Sequence, residues 1–222
     1  IFGNIYGWYH VETGYRRFRK AYWQVGRKNA KSQSLGTVAS YEAGPMEAGI
    51  SEVYIAATKT EQARIVWNET DIMLKNCREL KGRFKTAYQR IIHEKTGSFI
   101  RTLSKEDKKE GDGFNPQCGI VDEYQAHDTS EFYDILDSGM GARPEPLLMV
   151  ITTAGFDLNN PCYRVEYNYV KQILDPDNPI ANENYFVMIN ELDKDEDGNL
   201  IDDIRDPKAQ EKANPILASY PE

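Results

Sequence analysis

The sequence predicts an α/β fold, a mostly parallel central sheet flanked by helices, and three observations predict it. Short apolar, β-branched runs alternate along the chain with longer runs of helical period. The 222 residues, 40% apolar and 28% charged, suffice for one large domain or one and a half, with a sizeable core. Three of the strand-like runs also end on residues that carry chemistry, as they should in a parallel sheet whose site lies at the carboxyl ends of its strands.

The elements follow in order. Residues 1–17 are aromatic and glycine-rich and begin on Ile1, which reads as the start of a fragment. Residues 20–25 form a strand-like run, Gly26-Arg27-Lys28-Asn29-Ala30-Lys31-Ser32 a turn, and residues 33–43 a helix closed by Gly44-Pro45. Residues 52–57 are β-branched and aromatic and read as a strand. Over residues 60–77, Ala63, Val66, Trp67, Thr70, Leu74 and Cys77 recur at spacings of three and four, so this is an amphipathic helix and Trp67 a core residue. Residues 90–95 and 98–103 are short strands joined at Thr96-Gly97. A polar loop over 104–116 leads to a strand at 118–123, a helix beginning over 130–136, a strand at 147–153 and a helix at 162–174.

Charge divides the chain. Residues 175–222 hold 13 acidic and 4 basic residues, whereas residues 1–41 hold seven basic residues, Arg16, Arg17, Arg19 and Lys20 among them, against the single acid Glu12. The net charge of −8 therefore hides a basic N-terminal end that permits polyanion contact, the alternative being a solvated basic face. Cys77, Cys118 and Cys162 are widely spaced, as reduced thiols and not as disulfides or a zinc site. No apolar run approaches the roughly 20 residues of a membrane span, and no signal segment opens the chain, so an intracellular protein is expected.

Chemistry concentrates at three strand ends. Lys31-Ser32 fits the end of the phosphate-loop pattern G-x-x-x-x-G-K-[ST], whose Lys reaches the β/γ-phosphates and whose hydroxyl holds Mg²⁺. Val25 and Ala30 stand where that pattern has glycine, and taken alone the loop could be a basic surface turn capping a helix. Asp122-Glu123 closes a second strand with one carboxylate for Mg²⁺ and one to orient water. Thr152-Thr153-Ala154-Gly155 closes a third with hydroxyls able to sense a γ-phosphate.

Together the blocks Arg27-Lys28-Asn29-Ala30-Lys31-Ser32, Ala56-Ala57 with Gln62-Ala63, Val121-Asp122-Glu123-Tyr124 and Thr152-Thr153-Ala154-Gly155 resemble the large terminase subunit of tailed bacteriophages, the motor that packages DNA into the capsid. The likeness covers residues 16–174 and lies in the order and spacing of the blocks. It implies a P-loop NTPase of the additional-strand, catalytic-Glu type that binds ATP and Mg²⁺. The loop residues Arg27, Lys28, Asn29, Ala30, Lys31 and Ser32 would hold the nucleotide, with Ser32 and Asp122 on the metal. Glu123 would polarise water, Arg27 would reach the γ-phosphate, and Thr152 and Thr153 would couple hydrolysis to movement. Arg101 and Arg143 are candidates to act across subunits.

Ala30 in place of Gly departs from the family and implies a modest phosphate affinity. The implied partners are double-stranded DNA, portal protein, small terminase subunit and further copies in a ring, with no membrane, in host cytoplasm and transiently docked on the procapsid portal. Residues 1–174 would be the ATPase core, lacking the family's adenine-contacting Gln motif, and 175–222 an acidic extension leading toward a nuclease domain outside the chain.

Two features stand apart. Asp193-Lys194-Asp195-Glu196-Asp197-Gly198 mimics a calcium loop, but its twelfth position is Ile204; an acidic hairpin turning at Asp197-Gly198 between residues 185–192 and 200–204 is the favoured reading. His10, His93 and His127 are scattered and read as structural. The rival functions are a helicase-like nucleic-acid ATPase and a non-hydrolysing nucleotide-binding scaffold module.

Overall fold

The computed structural model describes residues 1–44, 49–104, 107, 113–155, 157–177, 179–195 and 197–219. Pro45, most of the polar 104–116 loop and Glu196 of the acidic loop lie outside the described residues. Eight strands form one sheet: β1 (Lys20–Gln24), β2 (Glu52–Ala56), β3 (Phe84–Ala87), β4 (Arg90–His93), β5 (Phe99–Thr102), β6 (Cys118–Val121), β7 (Leu147–Thr152) and β8 (Tyr185–Ile189), in the order β3-β4-β5-β2-β6-β7-β1-β8. From β5 to β8 every neighbouring pair is parallel, while β3 and β4 add an antiparallel edge. β7 stands between β1, which leads into the Lys-Ser turn, and β6, which leads into Asp-Glu; this is the additional strand that the resemblance implies. All three strands run the same way, so their carboxyl ends meet at one edge.

Side chains alternate across the sheet as strand geometry requires. On one face Ala21, Trp23, Val53, Ile55, Cys118, Ile120, Met149 and Ile151 pack under α2 (Lys31–Ala43) and α3 (Thr60–Asn76), through Leu35, Val38, Ala63, Val66 and Leu74. On the other, Tyr22, Tyr54, Val121, Leu148 and Val150 meet Phe132 and Leu136 of α4 (Glu131–Gly139) and Val170 of α5 (Asn168–Leu174). Burial on both faces explains why β6 and β7 read as unbroken apolar runs. Cutting a side chain such as Met149 back to alanine should cost about 2–5 kcal/mol. The free thiols Cys118 and Cys162 are buried, one in each core. No helix among the described residues is long and apolar enough to cross a membrane.

The structure corrects four expectations. The run 162–174 is not one regular helix: Cys162–Tyr167 is a π-helical turn that continues into α5. The change of composition near residue 174 marks a change of charge and no break in the fold. β8 extends the sheet beside β1, and its Tyr185 is buried with its hydroxyl on Glu166. For the same reason the acidic hairpin is formed only at its tip: residues 185–189 pair with β1, and among the described residues the antiparallel contact around Gly198 is the bridge Lys194–Leu200 with hydrogen bonds of 2.9 Å from Asp195 N–H to the Asn199 carbonyl and from Ile201 N–H to the Asp193 carbonyl. The basic N-terminal run is also partly spent within the chain, at Arg16 and Lys20. Arg16 is buried against Glu42 at 2.6 Å and pins the N-terminal segment, whose short helix α1 (Phe2–Gly7) sets Ile5 in the core; Lys20 pairs with Asp137 at 2.7 Å.

Candidate functional site

β1 ends on Gln24, and the chain turns through residues 25–30 before α2 begins at Lys31. The turn needs left-handed backbone at Lys28 (φ 69°) and at Ala30 (φ 53°). Ala30 therefore occupies a conformation suited to glycine, held at roughly 1–2 kcal/mol of strain. Such a turn aims successive N–H groups into one concavity, and α2 adds the positive end of its dipole to it, an arrangement that favours an anion. Arg27, Lys28, Ala30, Lys31 and Ser32 line an open cleft of about 580 Å³ together with Gln33, Ile65, Glu69, Glu123 and Ile216.

Asn29 does not face that cleft. It is buried, and its amide nitrogen donates to the carbonyls of Gly26 (3.0 Å) and Arg27 (3.3 Å) and so braces the loop from behind. The same group donates to Asn214 Oδ1 at 3.1 Å, and Asn29 Oδ1 accepts from Ile216 N–H at 3.1 Å. Asn214 caps α6 (Pro207–Ala213), so the acidic C-terminal stretch folds back onto the phosphate loop. A Cβ on Gly26 would lie 2.0 Å from Asn214 Oδ1, so any larger residue here would displace the Asn214 side chain from the loop. The composition of the stretch carries no sign of this contact. Lys212 of α6 pairs with Asp193, the first acidic residue of the stretch that mimics a calcium loop, and with Asp202 beyond it.

Across the cleft stand the two carboxylates. Asp122 follows β6 and is buried; burial first, and then the charge of Glu123, push its carboxyl up to about 6. Its side chain accepts from the Glu123 N–H at 2.9 Å, and its carbonyl accepts from His127 Nε2 at 3.0 Å, so His127 is a structural brace with its proton on Nε2. Glu123 is left-handed (φ 51°, ψ 46°), a twist that turns its carboxylate away from the strand and toward Lys31, whose Nζ lies 3.6 Å from Oε1. Burial lowers the Lys31 ammonium, while the charges of Glu123 and Asp122 oppose that. An ion pair this long, at the mouth of an open cleft, leaves the lysine available to a stronger anion.

Thr152 closes β7 beside them and Thr153 follows it, but Thr152 points no free hydroxyl at the cleft. Both are buried, and Thr152 Oγ1 donates to Gln125 Oε1 at 2.6 Å and accepts from the Gln125 N–H at 3.1 Å. The two arginines considered for action across subunits are engaged at home. Arg101 of β5 pairs with Asp107 at 2.9 Å and sets its guanidinium 5.0 Å and 5.1 Å from the centroids of the stacked rings of Tyr54 and Phe114; Arg143 donates to the carbonyls of Asn115 and Ile50. Sequence reasoning missed Gln125, Asn214 and Ile216, none of which belongs to a recognisable pattern.

The donor set suits a nucleoside triphosphate with a divalent cation: a cationic side chain and a left-handed anion turn face an aspartate and a glutamate across one cleft. Ser32 lines that cleft and Asp122 follows the strand across it, two oxygen groups that could hold such a cation.

The family model for the terminase large subunit, ATPase domain, matches residues 1–172. Among curated proteins the chain is similar to Protein YmfN of Escherichia coli (strain K12), 36% identical over 115 residues, which are 52% of this chain and 23% of that protein. Among solved structures it is similar to the HK97 bacteriophage large terminase, with a TM-score of 0.73 at 22% identity, covering 92% of this chain and 41% of that one. The Thermus phage P74-26 large terminase ATPase domain gives a TM-score of 0.57 at 16% identity over 85% of this chain and 83% of that one. The large terminase of another thermophilic bacteriophage, in complex with ADP, gives 0.57 at 11% identity, over 87% of this chain and 44% of that one. At such identities these structures speak for the fold. The chain spans less than a quarter of the curated relative and less than half of the HK97 protein.

Proposed function

The chain belongs to the family of terminase large subunit ATPase domains, and from that premise we propose that it hydrolyses ATP with Mg²⁺ to drive double-stranded viral DNA into a procapsid. The observation that carries the proposal is the convergence of Lys31, Asp122 and Glu123 at one edge of the sheet, with Lys31 Nζ 3.6 Å from Glu123 Oε1. Each group has one part in the reaction. The backbone of residues 27–32 cradles the phosphates, and Lys31 leaves Glu123 for the β/γ-phosphates. Ser32 and Asp122 hold Mg²⁺, which when bound offsets charge on the phosphates. Glu123, freed of the lysine, orients water in line with the γ-phosphate and takes its proton. Arg27, on the rim of the same cleft, meets charge that develops on the transferred group.

Thr152 and Thr153 couple the reaction to movement of the sheet edge. Arg101 and Arg143 would reach a neighbouring copy only by giving up their contacts within the chain, which makes Arg27 the better candidate for the transition state. The motor would be a ring of copies docked on the portal in host cytoplasm and supplied with DNA by the small terminase subunit. Since Arg16 and Lys20 are paired internally, contact with DNA falls to other groups.

The test is the specific activity of the chain in Mg²⁺-ATP hydrolysis against protein concentration, with and without duplex DNA and portal. Turnover that rises with concentration and with both partners supports the motor. A monomer at full rate, indifferent to both, leaves an ATPase and removes the ring.

A further inference from the structure

Gln125 lies two residues beyond the proposed base, in the 3₁₀ turn Tyr124–Ala126, and its side chain reaches both ways across the site. Its amide nitrogen donates to Glu123 Oε2. Its amide oxygen accepts from Thr152 Oγ1 at 2.6 Å and from the Thr153 N–H at 3.1 Å. The orientation of the amide follows from chemistry, because a backbone N–H can only donate and an ionised carboxylate can only accept. The surroundings are shaped to this side chain as well. A Cβ on Gly155 would lie 3.0 Å from Gln125 Cβ and Cγ, so the glycine of the Thr-Thr-Ala-Gly block makes room for it, and Asn160 Nδ2 donates to the Gln125 carbonyl at 2.9 Å. The hydroxyl of Thr152 faces Gln125.

We infer that Gln125 is the positioning residue of this site, holding the Glu123 carboxylate and tying it to the end of β7. The inference rests on the ATPase reading and deepens it: Thr152 and Thr153 act on the reaction through the Gln125 amide, so a shift of the β7 end moves the carboxylate that orients water. Glu123 is left with one oxygen, Oε1, toward the cleft and the other fixed. A misplacement of about 1 Å at such a group can cost on the order of a hundredfold in rate.

The experiment compares the 222-residue chain with Gln125→Ala, Gln125→Glu, Glu123→Gln and the double variant, by turnover of Mg²⁺-ATP and by equilibrium binding of a fluorescent ATP analogue. Gln125→Ala should lower kcat about tenfold or more and leave nucleotide affinity within about threefold, a split that a general loss of folding does not give. Gln125→Glu keeps the shape and the acceptor oxygen, so it folds even if the alanine variant does not. It sets a like charge against Glu123 and should lose at least as much turnover. In the Glu123→Gln background, removing Gln125 should change turnover less than about twofold, since the group it positions is already lost. Wild-type turnover in both Gln125 variants overturns the inference and leaves the ATPase reading standing, as does an equal loss with and without Glu123. A wild-type chain that neither binds nor hydrolyses ATP overturns both.

Discussion

In the phosphate loop Lys28 and Ala30 stand at φ 69° and 53°, and at the tip of the β3–β4 hairpin Tyr88 and Gln89 stand at φ 51° and 59°. Two turns thus hold non-glycine residues in the left-handed region. In the hairpin the strain closes a two-residue connection between the paired residues Ala87 and Arg90, a geometry that Asn-Gly meets at less cost. Tyr88 is 95% exposed there and is aimed at nothing. In the loop the same conformation builds a concavity of N–H groups at the start of α2, and across the cleft a third left-handed residue, Glu123, turns its carboxylate toward Lys31. Strain at an exposed turn can be removed without consequence, whereas strain that aims a functional group belongs to the function.

Substitutions can break that contrast. The largest effect is expected at Glu123: Glu123→Gln keeps the left-handed turn and the shape of the side chain, so nucleotide should bind while turnover falls about 10²–10⁴-fold. Single-turnover hydrolysis beside an equilibrium binding assay checks it, and normal turnover would show that Glu123 is not the base.

The next effect is on stability. The folded Asp122 carboxyl is raised to about 6 by burial and by Glu123, above its unfolded value of 3.8. Stability from this group is therefore fully present below about pH 4 and is lost as pH rises through about 6. At pH 7.5 the ionised, buried group costs up to about 3 kcal/mol. Asp122→Asn should raise the unfolding midpoint of the nucleotide-free chain at pH 7.5 and flatten the pH dependence between 4 and 6. An Asn variant with a lower midpoint at pH 7.5 would contradict the burial account.

Smaller effects separate the two turns. Tyr88→Asn with Gln89→Gly should stabilise the chain by about 1 kcal/mol and leave nucleotide binding untouched. Ala30→Gly relieves similar strain but frees the unfolded chain, so its effect on stability should stay below about 1 kcal/mol. Any gain should be seen in tighter nucleotide binding. Denaturant melts and binding titrations on both variants decide this; a hairpin variant that changed binding would end the contrast.

The contrast also explains what could be read in advance. β1, α2, β2, α3, β6 and β7 were legible because two-sided burial makes long apolar runs and amphipathic helices leave a period of three and four. β3 was not, since Phe84-Lys85-Thr86-Ala87 is an edge strand with its middle residues exposed and no apolar pattern to show. The meeting of Lys31, Asp122 and Glu123 at one edge of the sheet was legible from residue type at strand ends. Gln125 was not, because the role proposed for it comes from a side chain that spans two strand ends, and a glutamine after a strand has no signature of its own. The return of Asn214 and Ile216 to the phosphate loop was hidden by acidic composition, which reports solvent exposure along a stretch and says nothing of the few residues in it that dock.

The central claim, that the loop at residues 26–32 is the nucleotide site, is met most directly by titrating a fluorescent ATP analogue with Mg²⁺ into the wild-type chain, Lys31→Ala and the Tyr88→Asn, Gln89→Gly variant. Charge-assisted bonds to phosphate of about 1.5–3 kcal/mol predict roughly 10- to 150-fold weaker binding for Lys31→Ala, with the hairpin variant equal to wild type. Binding by Lys31→Ala at wild-type affinity would contradict the account.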